Sequence, residues 1–371
     1  MQQPYISIIF ANRNDNYGDD QQNRIQTFID YYAYYDQKYP GLFELVVCDW
    51  NPPQDRCSLQ EAYDWTVFSQ VKFITVPQET HQIYVKDKKF PILDYIARNV
   101  SIRHASSPFV MVLNQDIFIT DSIFTYLAKR TLSSKHFYRA DRCDFNFDQI
   151  TDRAPEHFEA EMKKNVFRRH RRHRSDGAEI SPHTGPDQLN LHTTIMNKHE
   201  LYDTVNHIIY SKRASFKRSL NKIFSPIISL YLIVKKIILD CYLSLKGQKN
   251  SQGIHYYSIY ELHTNASGDF IIAPRQAFEK IHGFPETTEF YMHTDSYGCI
   301  QLFTAGYDQA IFVAPHAAFH ADHSRMDRAD RIEKMTFNEH AYIFSKICCY
   351  SKSYRLNSSH WGLKKYNLIQ Q

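Results

Sequence analysis

Ile96-Ala-Arg-Asn-Val-Ser-Ile-Arg-His-Ala-Ser-Ser-Pro-Phe-Val-Met-Val-Leu-Asn-Gln-Asp116 couples a helix, a buried strand and a carboxylate at the strand's exit. Ile96, Val100, Ile102 and Ala105 recur at roughly helical spacing, and Ser106-Ser107-Pro108 breaks the helix. Phe109 to Leu113 then reads as a strand buried on both faces, with Asn114, Gln115 and Asp116 just past its carboxyl end. In open α/β sheets ligands bind at that edge. Taken alone, the same residues fit a side-chain-capped turn equally well, because Asn and Asp favour such turns.

Upstream, the pattern repeats. A strand over Ile6 to Phe10 runs into the polar loop Ala11 to Gly18, then into an amphipathic helix carrying Ile25, Phe28, Ile29 and Tyr32. A second strand, Phe43 to Cys48, delivers Asp49 before Asn51-Pro52-Pro53 turns the chain. Strands alternating with helices predict a mostly parallel α/β sheet. Its polar loops, Asn12 to Asp15, Asp49 and Asn114 to Asp116, should gather on one edge as a nucleotide pocket.

Composition is that of a soluble globular chain: 371 residues, 43% hydrophobic and 23% charged, with a net charge of +4 too modest to argue for nucleic acid. The 15% aromatic content can pack a core or line a sugar or nucleotide pocket. Cys48, Cys57, Cys143, Cys241, Cys299, Cys348 and Cys349 form neither a metal-type pair nor a disulfide framework, which fits a reducing cytoplasm. The start of the sequence enters a strand without a charged and apolar leader, so export by that route is not expected.

Ser7-Ile-Ile-Phe-Ala-Asn-Arg-Asn14, Glu44-Leu-Val-Val-Cys-Asp49, Ala97 to Ala105 and Asn114-Gln-Asp116 resemble, in order and spacing, the nucleotide-binding half of family 2-type glycosyltransferases with the GT-A fold. Gly268-Asp-Phe-Ile-Ile-Ala-Pro-Arg275, Ile281-His-Gly-Phe-Pro-Glu286, Thr294-Asp295, Gln301 and Ala305-Gly-Tyr307 are similar to the acceptor-side half. The resemblance implies a GT-A (nucleotide-diphospho-sugar transferase) fold: a mostly parallel Rossmann-like sheet with flanking helices and a helical insertion. It divides the chain into a nucleotide-sugar-binding half (1–150), an insertion (151–255), an acceptor-binding and catalytic half (256–325) and a C-terminal helical tail (326–371).

The implied chemistry is transfer of a sugar from a nucleotide donor, a UDP-sugar foremost, to a glycan or lipid-linked acceptor in surface polysaccharide or glycoconjugate synthesis. A leaving diphosphate gains charge, which a divalent cation held by carboxylate offsets while a second carboxylate deprotonates the acceptor hydroxyl. Asp116 matches the last residue of the family's metal motif; Asn114 replaces its first acid with a carbonyl that can still bind a hard cation with less attraction. His320, favoured over His323 within Phe319-His-Ala-Asp-His323, is the expected further ligand, and histidine suits Mn²⁺ better than Mg²⁺. A solvated loop with an incidental His pair is the alternative for that stretch.

Asp295 aligns with the family's catalytic base, which implies inversion, although a lone Asp opening a helix is also a common N-cap. Asp269, among small residues that let backbone approach a ligand, is its rival. On the donor side Asp49 would accept hydrogen bonds from base or ribose, Asn14 and Asp15 would line the same pocket, and Arg98 or Arg103 would meet the diphosphate unless simply solvated. A non-catalytic nucleotide- or glycan-binding module and a retaining transferase are the competing readings.

Two stretches lie outside the resemblance. The basic run Lys163 to Arg174 would attract anionic lipid or a lipid-linked diphosphate, with nucleic acid the weaker partner, or form a solvated loop. Ser225 to Leu245 reads as an apolar helix interrupted by Lys235, Lys236 and Asp240, and within 216–249 it suits an anionic membrane surface, a dimer interface or a cover for the sheet. A cytoplasmic protein, peripheral on a membrane's inner face, is the resulting expectation. Ile332 to Ile347 should pack as helix, ahead of a polar tail.

Overall fold

Period-two alternation in the strands decides the architecture. In β1 (Ile6–Asn12) Ile6, Ile8 and Phe10 pack into one apolar cluster while Ile9 packs into another. In β2 (Phe43–Trp50) Leu45 and Val47 split the same way from Val46, Cys48 and Trp50. Side chains of a strand point alternately to opposite faces, so strands with apolar residues on both faces must be covered on both. The computed structural model describes residues 3–85, 90–170, 254–257, 263–264, 266–286, 294–312, 315–323, 355–366 and 368–370.

One layer of cover is α1 (Gln21–Lys38), whose Ile25, Phe28, Ile29 and Tyr32 face the first cluster at the expected helical spacing. After β2 come the short α2 (Leu59–Ala62), β3 (Val71–Val76), α3 (Gln78–Tyr84) and α4 (Asp94–His104). Ile96, Ala97 and Val100 of α4 cover the opposite face. The chain then forms β4 (Phe109–Leu113), fully buried as its composition predicts, β5 (Ile117–Ile119), α5 (Asp121–Ala128), β6 (His136–Ala140), β7 (Arg142–Phe145), α6 (Pro155–Lys164) and β8 (Val166–His170). Next follow β9 (Ile254–Tyr257), β10 (Phe270–Pro274), α7 (Arg275–Ile281), α8 (Thr294–Thr304), β11 (Asp308–Phe312), β12 (Ala318–Ala321) and β13 (Ile369–Gln370).

The large sheet has nine strands in the order β13-β3-β2-β1-β4-β10-β6-β11-β9. Strands β3, β2, β1 and β4 run parallel, β10 is antiparallel to β4 and β6, and β11 runs parallel to β6. The edge strands β13 and β9 are antiparallel to β3 and β11, so the sheet is mixed but rich in parallel strands and flanked by helices, as the alternation of strands and helices predicts. Strand order reverses beside β1, between β2 and β4, and the crevice at such a switch point, outside the carboxyl ends of the strands, is where an α/β sheet receives ligands.

A smaller four-stranded sheet, β5-β12-β7-β8, stands beside that crevice. Cys143, Phe145 and Phe319 turn into the core with Phe118, while Arg142 and Asp144 alternate with them on the other face. Sequence reading placed no strand there. In the described part of the basic run, Lys163 and Lys164 pair with Glu159 and Glu161 on α6, and Arg168 pairs with Asp144. Residues 171–174, the stretch 216–249 and the helix expected over Ile332 to Ile347 lie outside the described residues.

The closing stretch is not a plain polar tail. Trp361 and Leu363 are buried against α4 and α7, Asn357 Nδ2 donates to the carbonyls of His282 and Phe284, and β13 adds to β3. Two aromatic and aliphatic side chains outweigh their polar neighbours once a groove is there to take them. Gly362, at φ 61°, lies where a Cβ would strike the Arg103 side chain and the Asn99 carbonyl. Among the described residues no helix is long and apolar enough to cross a membrane.

Candidate functional site

Parallel register brings the loop residues together. Asn12 on β1 pairs with Asp49 on β2, and Asn12 Nδ2 donates to Gln115 Oε1 in the loop after β4. Gln21, at the start of α1, donates to the Arg13 carbonyl at 3.0 Å and to Gln115 Oε1 at 3.3 Å. The polar loops therefore share one carboxyl edge.

Asp116 sits at its centre. The Ala321 amide donates to the Asp116 carbonyl at 2.9 Å, which draws the end of β12 over this turn. Asp116 Oδ2 consequently lies 3.1 Å from His323 Nε2 and 3.7 Å from His320 Nε2. One ligand atom from each of the three residues falls within 4.8 Å of the others. Burial by itself would raise the Asp116 carboxyl, but the His320 and His323 imidazoles and the Arg24 guanidinium hold it well below the ordinary carboxylate range.

Asp116 Oδ1 is buried without a hydrogen-bond partner. Such an oxygen costs free energy unless something else is bound there. A carboxylate and two imidazoles make a donor set suited to a divalent transition ion such as Mn²⁺, so the residues present fit a metal. Arg24, 1% exposed, donates to the carbonyls of Tyr17, Gly18 and Asp19, and it fixes a loop that holds the Tyr17 ring 5.4 Å from the His323 ring.

From this triad a continuous chain of polar contacts crosses the edge. His320 Nδ1 lies 3.4 Å from Asp144 Oδ1, and Asp144 also meets Arg142, Arg168 and His170. Arg142 reaches Asp269 Oδ2 at 2.5 Å, and Asn114 Nδ2 donates to Asp269 Oδ1 at 2.6 Å. Arg98 donates to Asn114 Oδ1 and, at 2.6 Å, to the Gly268 carbonyl. Asp295, in the first turn of α8, accepts at Oδ2 from the Gly268 amide at 2.6 Å and from Ser267 Oγ at 2.9 Å. Arg139, wholly buried, donates to the carbonyls of His263, Ser267 and Phe270 and holds that segment in shape.

The sequence-derived residues thus meet at one edge, in somewhat different employment from that expected. His323 joins His320 on Asp116 instead of yielding to it. Asn114 does not join the triad, because Arg98 occupies its carbonyl oxygen and its amide serves Asp269; only a side chain that both accepts and donates can bridge a guanidinium and a carboxylate in this way. Arg98, 3% exposed, also pairs with Asp94 at 2.8 Å. Arg103 lies over Trp361 at 5.0 Å.

Asp269 is pulled below its ordinary range: burial opposes ionisation, and Arg142 with His320 outweighs it. Asp49 differs. Its Oδ2 accepts from the Leu59 amide at 2.8 Å, its Oδ1 is buried without a partner, and burial pushes its carboxyl up to about 6 against the effect of that amide and Arg13. Asn14 Nδ2 donates to the Cys57 carbonyl at 2.9 Å, and Asp15 pairs with Arg13 at 3.1 Å at the rim. Asp144 and Arg142 escaped the sequence reading; the alternation Arg142-Cys-Asp-Phe145 was the available signal, since it puts two charges on one face of a strand.

No protein-family model and no curated protein matches the sequence. Among solved structures the chain is similar to S. aureus TarS at 10% identity and a TM-score of 0.40, covering 93% of this chain and 42% of that one. Similarity to a TarS structure spanning its residues 1–349 stands at 11% identity and 0.40, covering 93% and 70%, and to a mycobacterial protein at 12% and 0.39, covering 88% and 70%. The chain therefore spans less than half the length of that first TarS chain.

Proposed function

We propose that the chain is a glycosyltransferase that moves a sugar from a nucleotide-sugar donor, a UDP-sugar foremost, to a glycan or lipid-linked acceptor in surface polysaccharide or glycoconjugate synthesis, with inversion and with divalent-cation assistance. The observation that carries this reading is the grouping of Asp116, His320 and His323 at the carboxyl edge of the parallel strands, linked by a series of polar contacts to Asp295.

Asp116, His320 and His323 would hold Mn²⁺ or Mg²⁺, and a cation bound there supplies charge neutralisation for the departing nucleoside diphosphate. Asp49 would accept a hydrogen bond from the base or ribose at its unpartnered Oδ1, with Asn14 and Asp15 at the rim of the same pocket. Asp295 is the base: held at Oδ2 by the Gly268 amide and Ser267, its carboxylate takes the proton from the acceptor hydroxyl as that oxygen attacks the anomeric carbon. The bond to the diphosphate oxygen breaks, and the leaving group carries the electron pair away. Asp269 is less suited to that role because Arg142 and Asn114 occupy its oxygens, which favours inversion at Asp295 over a retaining route through Asp269. Attachment to an anionic membrane surface through 216–249 belongs to the same reading and rests on sequence alone.

Thermal-shift measurement across nucleotide sugars, with and without Mn²⁺, tests the proposal directly, because a ligand bound by the folded state raises the transition in proportion to the logarithm of its concentration over Kd. The expected result is stabilisation by a UDP-sugar that grows with Mn²⁺, together with slow Mn²⁺-dependent hydrolysis of that donor. If no nucleotide sugar shifts the transition and none is hydrolysed, the proposal fails.

A further inference from the structure

Asp144 is 0% exposed and is approached by Arg142, Arg168, His170 and His320. Register explains the convergence: on β7 Asp144 pairs with His320 on β12 to one side and with Arg168 on β8 to the other, and such pairs share a sheet face. Buried ion clusters are weak contributors to stability because desolvation offsets their attraction, so a fold with a large apolar core has little need of one here. Placement within the cluster suggests its use. His320 turns Nδ1 toward Asp144 Oδ1, at 3.4 Å, and Nε2 toward Asp116. His170, by contrast, meets Asp144 through Nε2, at 3.0 Å to Oδ2.

We propose that Asp144 is a positioning residue for a metal site: it holds the His320 ring so that Nε2 is the ligand atom, and through Arg142 it fixes the carboxylate of Asp269. This rests on Asp116, His320 and His323 binding a divalent cation, as in the preceding section. A metal-bound imidazole needs its other nitrogen held, and a carboxylate there both orients the ring and raises its basicity. Asp144 is the carboxylate beside that nitrogen, and the gap of 3.4 Å is short enough for a small adjustment of the ring to form the bond. Its second arm, from Arg142 to Asp269 to Asn114, runs into the loop that carries Asp116.

The test is binding of Mn²⁺ alone by titration calorimetry, with the Co²⁺ absorption spectrum as a geometric readout, on the full chain and on Asp144→Asn, Asp144→Glu and His170→Gln. Wild type should bind one ion, and Asp144→Asn should lose affinity by about ten- to hundredfold with an altered Co²⁺ spectrum. Asp144→Glu, which keeps the charge but moves the oxygens by a methylene, should lose less and serves if Asp144→Asn does not fold. His170→Gln removes a neighbour of Asp144 that does not touch the triad and should bind like wild type. Unchanged affinity and spectrum in both Asp144 variants, or an equal loss in His170→Gln, overturns this inference while leaving the metal site standing. No ion bound by wild type overturns the metal site and this inference with it.

Discussion

Glu44 at the amino end of β2 and Asp49 and Asp116 at the carboxyl edge are buried carboxylates that the fold satisfies to different degrees. At the amino edge Glu44, 5% exposed, accepts from Ser7 Oγ, from the Ser106 amide at 2.6 Å, from Ser106 Oγ at 2.6 Å and from the Ser107 amide at 3.0 Å. At the carboxyl edge Asp49 and Asp116, equally buried, each keep one oxygen without a hydrogen-bond partner. The carboxylate group and its burial are shared; satisfaction is not. Glu44 is a structural anchor that ties the turn before β4 to β1 and β2, whereas Asp49 and Asp116 each keep bonding capacity that a bound group can meet.

The largest expected effect is at the carboxyl edge. Asp295→Asn should lower the turnover of sugar transfer by about a hundredfold or more, the usual worth of a positioned base, while nucleotide-sugar affinity stays near that of wild type. Steady-state kinetics beside calorimetric binding separates the two, and retained turnover would remove Asp295 from the mechanism.

Titration sharpens the contrast between the two ends of β2, because Asp49 and Glu44 depend on pH with opposite sign. Burial raises Asp49 from 3.8 to about 6, so the folded state binds the proton more tightly than the unfolded one and stability declines as pH rises from about 4 to about 6. Asp49→Asn should abolish that decline and stabilise the ligand-free protein at neutral pH by up to about 3 kcal/mol, yet weaken nucleotide binding. Denaturant melts at pH 4 and 7, with nucleotide titrations alongside, check both halves; a variant less stable at neutral pH would contradict the account.

Glu44 runs the other way. Burial opposes its ionisation, but the Ser106 and Ser7 bonds and Lys72 lower its carboxyl below 4.5, so its stabilisation is complete above the unfolded value and is lost as pH falls through the folded one. Glu44→Gln should cost about 1–3 kcal/mol by leaving buried donors poorly matched, with transfer by the folded protein unchanged. A loss of activity greater than the loss of folded protein would mean that the amino edge is not merely structural.

The smallest change tests how tightly the base is held. A Cβ at Gly268 would lie 2.9 Å from Tyr95 Oη and 3.3 Å from Asp295 Oδ2. Gly268→Ala should therefore push on both side chains and lower turnover by about tenfold through misplacement, with a modest fall in melting temperature.

Much of the scaffold could be read from local pattern. The strands at Ile6, Phe43 and Phe109, the helix carrying Phe28 and Tyr32, and the shared edge of Asn12, Asp49 and Asp116 follow from periodicity, because alternation and helical spacing record which faces will be covered. The small sheet was harder to see, since β5 and β7 are short and β7 mixes charges with apolar residues. Trp361 and Leu363 looked like part of a polar tail until α4 and α7 supplied a groove for them.

By itself the sequence determined that an α/β sheet forms and that acids stand at the exits of its strands, since both are properties of neighbours along the chain. Tertiary structure alone decided how those acids are used. Asn114 and Asp269 meet across 155 positions, and Arg142 and Asp269 across 127, so whether a carboxylate finds a guanidinium, an imidazole or no partner depends on how the chain closes. Burial then gives that choice its energetic weight, because an unmatched charge or oxygen that water would satisfy at the surface must be met inside by protein or by something bound.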